Sequence, residues 1–367
     1  MNFSAGIKPI GMIRKKSWII LGIIAVLIKM FSFFPDAVEQ YYSTGVYPYI
    51  VKFLRGLFGW IPFSIGDVFY GVIIIYLVIK CISFIRKLFN KAVNKKYAVS
   101  VLRRMVFVVL LVYVVFNLLW GLNYNRRGIA FQLHLDVQKY STQELQNVLQ
   151  IIVEKLNTID SVSRLQRQEL NSKSILFAKS IKAYQQLAVR DPVFRYASPS
   201  VKPSIFSYAG DYLGFTGYYN PFSGEAQVNT TVPVFVQPFT TCHEVGHQLG
   251  YAKENEANFA GYLAAKASGN PAFQYSVYFD LYMYAAKQLY MRDSTLLVPL
   301  RESLKPAIRK DYRDLRIFYK KFENPFEPVI NRLYGNYLKA NQQPQGIMSY
   351  DEVIAWLIAY YKKTGSI

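Results

Sequence analysis

The sequence predicts a mainly α protein: three transmembrane helices, then a mostly helical α+β domain with a small sheet ahead of one histidine-bearing helix. Three observations carry this. Apolar stretches of 17 to 18 residues recur three times in the first third of the chain. Positive charge is concentrated beside them. Beyond them the hydrophobic pattern has helical periodicity except over residues 191–238, which are rich in Pro, Gly, Ser and Tyr.

The stretches are residues 17–34, 68–84 and 105–122, at the short end of what crosses a bilayer as a helix. Lys29 and Lys80 interrupt two of them, each toward an end, where a long stem can snorkel to the interface. No small-residue cleavage site follows Phe34, so the first stretch is expected to be retained. Of the formal net charge of +20, residues 1–127 hold 17 Lys or Arg against 3 Asp or Glu, a net of +14. An excess beside apolar runs is topology charge, not a phosphate-binding stripe, so nucleic acid is excluded as a partner and a lipid bilayer expected. Lys8, Arg14, Lys15 and Lys16, with Arg86, Lys87, Lys91, Lys95, Lys96, Arg103 and Arg104 of the second connection, belong inside. The first connection has only Lys52 and Arg55, and Arg126 and Arg127 follow the third span. The N-terminus is therefore expected in the cytoplasm, and everything after Asn123 outside it. Residues 41–60, aromatic with Lys52 and Arg55, suit an interfacial helix or a plain loop. The chain divides into an anchor, 1–127, and a domain, 128–367. Cys81 lies in the anchor and Cys242 in the domain, so the domain can form no internal disulfide.

Within the domain, Ser141-Thr-Gln-Glu144 is a capping box before a helical run over 145–159, and another helix is expected over 164–187. Residues 224–236 alternate enough for one or two short strands. After Tyr251 the chain reads as helical, broken at Gly269-Asn-Pro271, near Pro325 and at Gln343-Pro344.

Two of the chain's three histidines flank His243-Glu244-Val245-Gly246-His247. On a helix, residues four apart share a face and can direct two imidazoles at one tetrahedral Zn2+. Pro238 suits the first turn and Gly250 the stop, while Cys242, Val245 and Leu249 form an apolar stripe facing away from the histidines. Glu244, beside the first ligand, is placed to act as general base. Zinc needs a third protein ligand, and a carboxylate from Lys253-Glu-Asn-Glu-Ala-Asn-Phe-Ala260 is the candidate. Glu254 shares a helix face with Ala257, Asn258 and Gly261, small or polar residues that permit close approach to the first helix and a hydrogen bond from Asn258 to a ligand. Glu256, the alternative ligand, shares a face with Phe259, Ala260 and Leu263, which reads as core or its rim.

At these residues the chain resembles the glutamate-ligand zincins, or gluzincins, in which the His-Glu-x-x-His helix is followed by one bearing Glu-x-x-Ala-Asn. The link from His247 to Glu254 is short for that group, and no histidine follows that could serve as its usual transition-state donor. A tyrosine, Tyr251 or Tyr262, would have to substitute. The resemblance also implies an edge strand pairing with an extended peptide substrate; residues 224–229, with Ala226, Val228 and Asn229, are the candidate. More closely, the chain resembles a family of bacterial membrane proteins grouped as a domain of unknown function, with three N-terminal spans and a metallopeptidase-like domain. The matching stretches are Tyr42-Ser-Thr-Gly45, Pro62-Phe-Ser-Ile-Gly-Asp67, Trp120-Gly-Leu-Asn-Tyr-Asn-Arg126, Tyr219-Asn-Pro-Phe-Ser-Gly-Glu-Ala226 and the histidine motif. It implies a zincin-like domain on a bacterial inner membrane.

The expected function is hydrolysis of peptide bonds in a peptide or protein substrate by zinc-activated water, Glu244 acting as base. The alternative keeps zinc without proteolysis: a membrane-tethered sensor or a binder of peptide or cell-wall fragments. A purely structural site has no need of Glu244 and usually closes with a fourth Cys or His.

Overall fold

The computed structural model describes residues 15–346, 348 and 352–367; Lys8 and Arg14 lie outside the described residues. The apolar stretches form long, exposed helices. Ile65–Phe89 and Lys95–Leu119 have 25 residues each, about 37 Å at 1.5 Å per residue, and both are apolar enough to cross a bilayer. The first stretch forms Lys15–Phe31, after which the chain bends by 102° into Pro35–Phe58. Among the described residues, the helices long and apolar enough to cross a bilayer thus number two, or three if this bent pair is one.

The connection over 41–60 is helical, π-helical over Val38–Val46 and α-helical over Tyr47–Phe58. It turns Tyr47, Val51 and Arg55 inward and leaves Tyr49, Phe53 and Trp60 exposed. The helix Ile65–Phe89 starts on the domain itself. Ser64 accepts a hydrogen bond from the Asp67 amide, and the buried Glu225 carboxylate accepts from the amides of Ile65 (3.3 Å) and Gly66 (2.7 Å). An anion at a helix N-terminus meets orphaned amides and the positive end of the dipole.

In the domain, Ser141 and Glu144 form the expected reciprocal cap on Thr142–Arg167. That helix runs further than its sequence run. A 3-10 turn over Gln168–Asn171 then separates it from Lys173–Arg190, so a break falls inside the single helix expected over 164–187. Three strands follow: β1 (Val201–Pro203), β2 (Gly217–Asn220) and β3 (Glu225–Val228), in the order β1-β3-β2, with β3 parallel to β1 and antiparallel to β2. This corrects the expectation of an edge strand over 224–229. β3 is the middle strand, and its backbone is engaged on both sides. Ala226 and Val228 are fully buried, and Asn229 is spent on its own loop, donating to Asp211 Oδ1 (2.7 Å) and the Phe215 carbonyl (3.0 Å).

The helices Gln237–Gln248 and Glu254–Ala267 come next, then Pro271–Arg292, Ser294–Glu302, Pro306–Phe322, Glu327–Ala340 and Val353–Thr364. Sequence reading placed the break at Gly269 but not those at Asp293 and residues 303–305. The main core gathers Leu145, Leu149, Tyr184, Val245, Phe259 and Phe279 from five of these helices.

A second apolar cluster joins anchor to domain, with Ile28, Val38, Tyr42, Tyr47, Val114, Trp120, Leu122 and Tyr219. Trp120 and Leu122 therefore belong to protein packing and not to the third span, whose helix ends at Leu119. Beside them Glu39 and Arg126 form a buried two-pronged ion pair, with Arg126 Nε to Glu39 Oε2 at 2.9 Å and Nη2 to Oε1 at 2.6 Å. The remaining Arg126 arm donates to the Gly250 carbonyl at 3.2 Å. A division between residues 127 and 128 thus runs through a packed junction.

Candidate metal centre

Residues 237–248 form a helix whose Pro238 occupies the first turn. It stops where Gly250 takes a left-handed conformation, φ 84°, with space only for a hydrogen, since a Cβ there would lie 2.9 Å from the Tyr47 ring. The stripe of Cys242, Val245 and Leu249 faces the core, which turns His243 and His247 to the opposite side. The helix Glu254–Ala267 crosses close beneath. A Cβ on Gly261 would stand 3.0 Å from the His243 amide, and one on Gly246 would stand 3.2 Å from the Ala257 carbonyl. Only near-absent side chains at the crossing let the second helix deliver a carboxylate to the first.

That carboxylate is Glu254. Its Oε2 lies 3.3 Å from His243 Nε2 and 3.6 Å from His247 Nε2, and one ligand atom from each residue falls within 4.8 Å of the others. Each imidazole is oriented from behind: His243 Nδ1 pairs with Asn258 Oδ1 at 2.7 Å, and His247 Nδ1 with the Tyr251 carbonyl at 2.8 Å. An acceptor at Nδ1 puts the proton there and leaves the Nε2 lone pair as the donor to a metal. Two ligands at about 2.0–2.1 Å from a tetrahedral zinc stand about 3.3 Å apart; the two separations from Glu254 Oε2, 3.3 and 3.6 Å, are close to this. The donor set of two imidazoles and a carboxylate fits Zn2+ and leaves the fourth position for a substrate or water. Asn258→Ala is expected to weaken zinc binding by about 10- to 100-fold, measured by competition with a chromophoric chelator.

Glu244 Oε2 is buried with no hydrogen-bond partner among the described residues. Its Oε1 faces the start of β2, where a Cβ on Gly217 would stand only 2.7 Å away. Burial pushes the Glu244 carboxyl up to about 7, the histidines pulling it down and Glu254 adding to the rise. Burial lowers the affinity of His247 for a proton, but the Glu254 carboxylate prevails and raises it to about 9. Glu254 is itself held well below the usual range: burial opposes this, and His247 and His243 outweigh it.

Several expected site residues fall elsewhere. Glu256 is buried beside Gly128, 4.0 Å from Lys253 Nζ, and does not join the ligand cluster. The Tyr251 phenol donates to Gln132 Oε1 at 2.8 Å, and the Tyr262 ring packs on Phe259 and Tyr360, so neither phenol is directed at the ligands. Tyr334, from Glu327–Ala340, is the phenol at the site, donating to Glu254 Oε1 at 3.0 Å. Nothing in its tyrosine-rich surroundings marked it. Equally unmarked were the anchor residues that cap the motif helix: Trp120 Nε1 donates to the His247 carbonyl (3.2 Å) and Tyr47 to that of Gln248 (3.0 Å). Tyr47 satisfies an end carbonyl that has no partner within the helix, and Trp120 adds a second donor to the His247 carbonyl, which also accepts from the Gly250 amide at 3.0 Å.

Fold and site together define a mainly helical protein, with two or three helices of membrane-crossing length and a possible His/Glu metal site. The chain belongs to the DUF3810 family, described as a protein of unknown function, whose sequence model matches residues 42–358. No curated protein and no solved structure matches it.

Proposed function

We propose that the protein is a membrane-anchored zinc metallopeptidase of gluzincin type, with its centre on the outer side of the cytoplasmic membrane. The observation that carries this reading is the convergence of His243, His247 and Glu254 beside a buried carboxylate, Glu244, that makes no hydrogen bond among the described residues. A bound zinc supplies Lewis acidity, polarising a carbonyl and bringing the pKa of water to about 7. Glu244 takes the proton of the attacking water and passes it to the leaving amine. Asn258 and the Tyr251 carbonyl hold the imidazoles in the ligating tautomer. Gly217 keeps the space before Glu244 clear, and the edge of β2 beside it can pair with an extended substrate backbone. The ligands are buried, so a peptide reaches them when the Tyr334 helix moves aside. The positive charge along the connection distal to the domain supports the orientation.

A sensor that only binds zinc has no use for a desolvated, unpartnered carboxylate at the metal, which costs stability. The test uses the full chain in detergent or nanodiscs with a peptide library. Cleavage is expected to stop on chelation and return with added zinc. Zinc binding without cleavage of any library member would favour the sensor.

A further inference from the structure

We propose that the polypeptide cut by this centre is itself anchored in the membrane, and that the bond cleaved lies in the segment next to the bilayer surface; this rests on the peptidase reading above. The helix Ile65–Phe89 sets the level of the bilayer. Arg86 and Lys87 at its far end belong with the head groups, so residues 68–85, roughly 27 Å of helix, fill the hydrocarbon. Asp67 then marks the near surface. The Tyr218 hydroxyl donates to Asp67, and one residue back along β2 lies Gly217, against Glu244. One tyrosine side chain and one residue step separate the membrane surface from the base, a distance on the order of 10 Å.

The other span points to the same level. Lys95–Leu119 is followed directly by Trp120, whose indole donates to the His247 carbonyl, so this span ends on the ligand helix itself. Phe206 sits against Gly71 of the span, and the Ile205 amide donates to Asp67 Oδ2 at 2.6 Å. The Tyr212 carbonyl accepts from Asn324 at 2.8 Å, and Phe326 follows two residues on, at the start of the helix whose Tyr334 donates to Glu254. Ile205, Tyr208, Phe326 and Leu333 are each 58% exposed or more. Ile205 and Phe206, at the near end of the span, suit the interfacial layer of a bilayer. A chain emerging from the membrane reaches the height of Glu244 within about three extended residues.

The test reconstitutes the full chain with zinc in phosphatidylcholine vesicles and offers one cleavable segment in three forms on the face of the domain. One is free; one is joined to a single apolar transmembrane helix by about three residues, and one by about thirty flexible residues, which reach roughly 30 Å. Tethering concentrates both anchored forms, so the comparison between them decides. The short link is expected to be cut about tenfold faster than the long one, within the first residues beyond the membrane. A long-linked or free segment cut as fast as the short-linked one overturns the proposal and leaves the peptidase reading standing. Failure to cut any of the three overturns the peptidase reading, and this proposal with it.

Discussion

Glu244→Gln is expected to reduce peptide hydrolysis by about 10²–10⁴-fold, the range that a positioned general base supplies, while zinc content stays at its wild-type value. Glutamine keeps the volume beside Gly217 and makes no demand on the ligand geometry, since Glu244 is outside the cluster of His243, His247 and Glu254. The two measurements, rate and metal content on one preparation, separate a lost base from a lost site. If zinc falls in step with activity, Glu244 is a ligand or a structural support, and the role given to it here is wrong.

The largest loss of stability is expected from Arg126→Leu. Arg126 and Glu39 are buried together, and removing one partner leaves the other charge desolvated and unpaired, at a cost of about 3–5 kcal/mol. Gln132 and the Gly128 amide would still reach Glu39, but neither carries a positive charge. The same change removes a donor from the Gly250 carbonyl, so the turn that ends the ligand helix loosens with it. Thermal unfolding of the full chain in detergent reads the effect. The double variant Glu39→Met, Arg126→Leu should recover much of the loss, because replacing both members of a buried pair by apolar groups is close to neutral. An Arg126→Leu protein with unchanged unfolding temperature would show that the junction between anchor and domain contributes little.

Much of the site could be read from sequence because its logic is local. Four-residue spacing puts His243 and His247 on one face of any helix, and the run of Ala257, Asn258 and Gly261 marks the face on which a second helix can come close. Both helices form, and their crossing brings Glu254 to the histidines. What escaped is non-local. Trp120 and Tyr47 meet the motif helix across 127 and 201 residues of sequence, and no periodicity predicts such a contact. Tyr334 reaches Glu254 across 80 residues, from a segment where tyrosine is common. The sheet was misread for a related reason. Residues 225–228, Glu-Ala-Gln-Val, alternate polar and apolar as a strand does, but only the pairing with Val201–Pro203, on a separate segment, makes that strand the middle one. The limits of the spans shifted likewise: Trp120 and Leu122 are as apolar as the stretch before them, and only the Tyr42, Tyr47 and Tyr219 side chains packed with them show that they are inside the protein.

The measurement that bears most directly on the metal centre is zinc content of the purified full chain, set beside Glu254→Gln and Glu256→Gln. The arrangement of His243, His247 and Glu254 predicts about one zinc per chain in the wild type. It predicts the same content in Glu256→Gln and a large loss in Glu254→Gln. Zinc retained at the wild-type level in Glu254→Gln, or absent from the wild type after exposure to the ion, would contradict the assignment of this cluster as a metal centre.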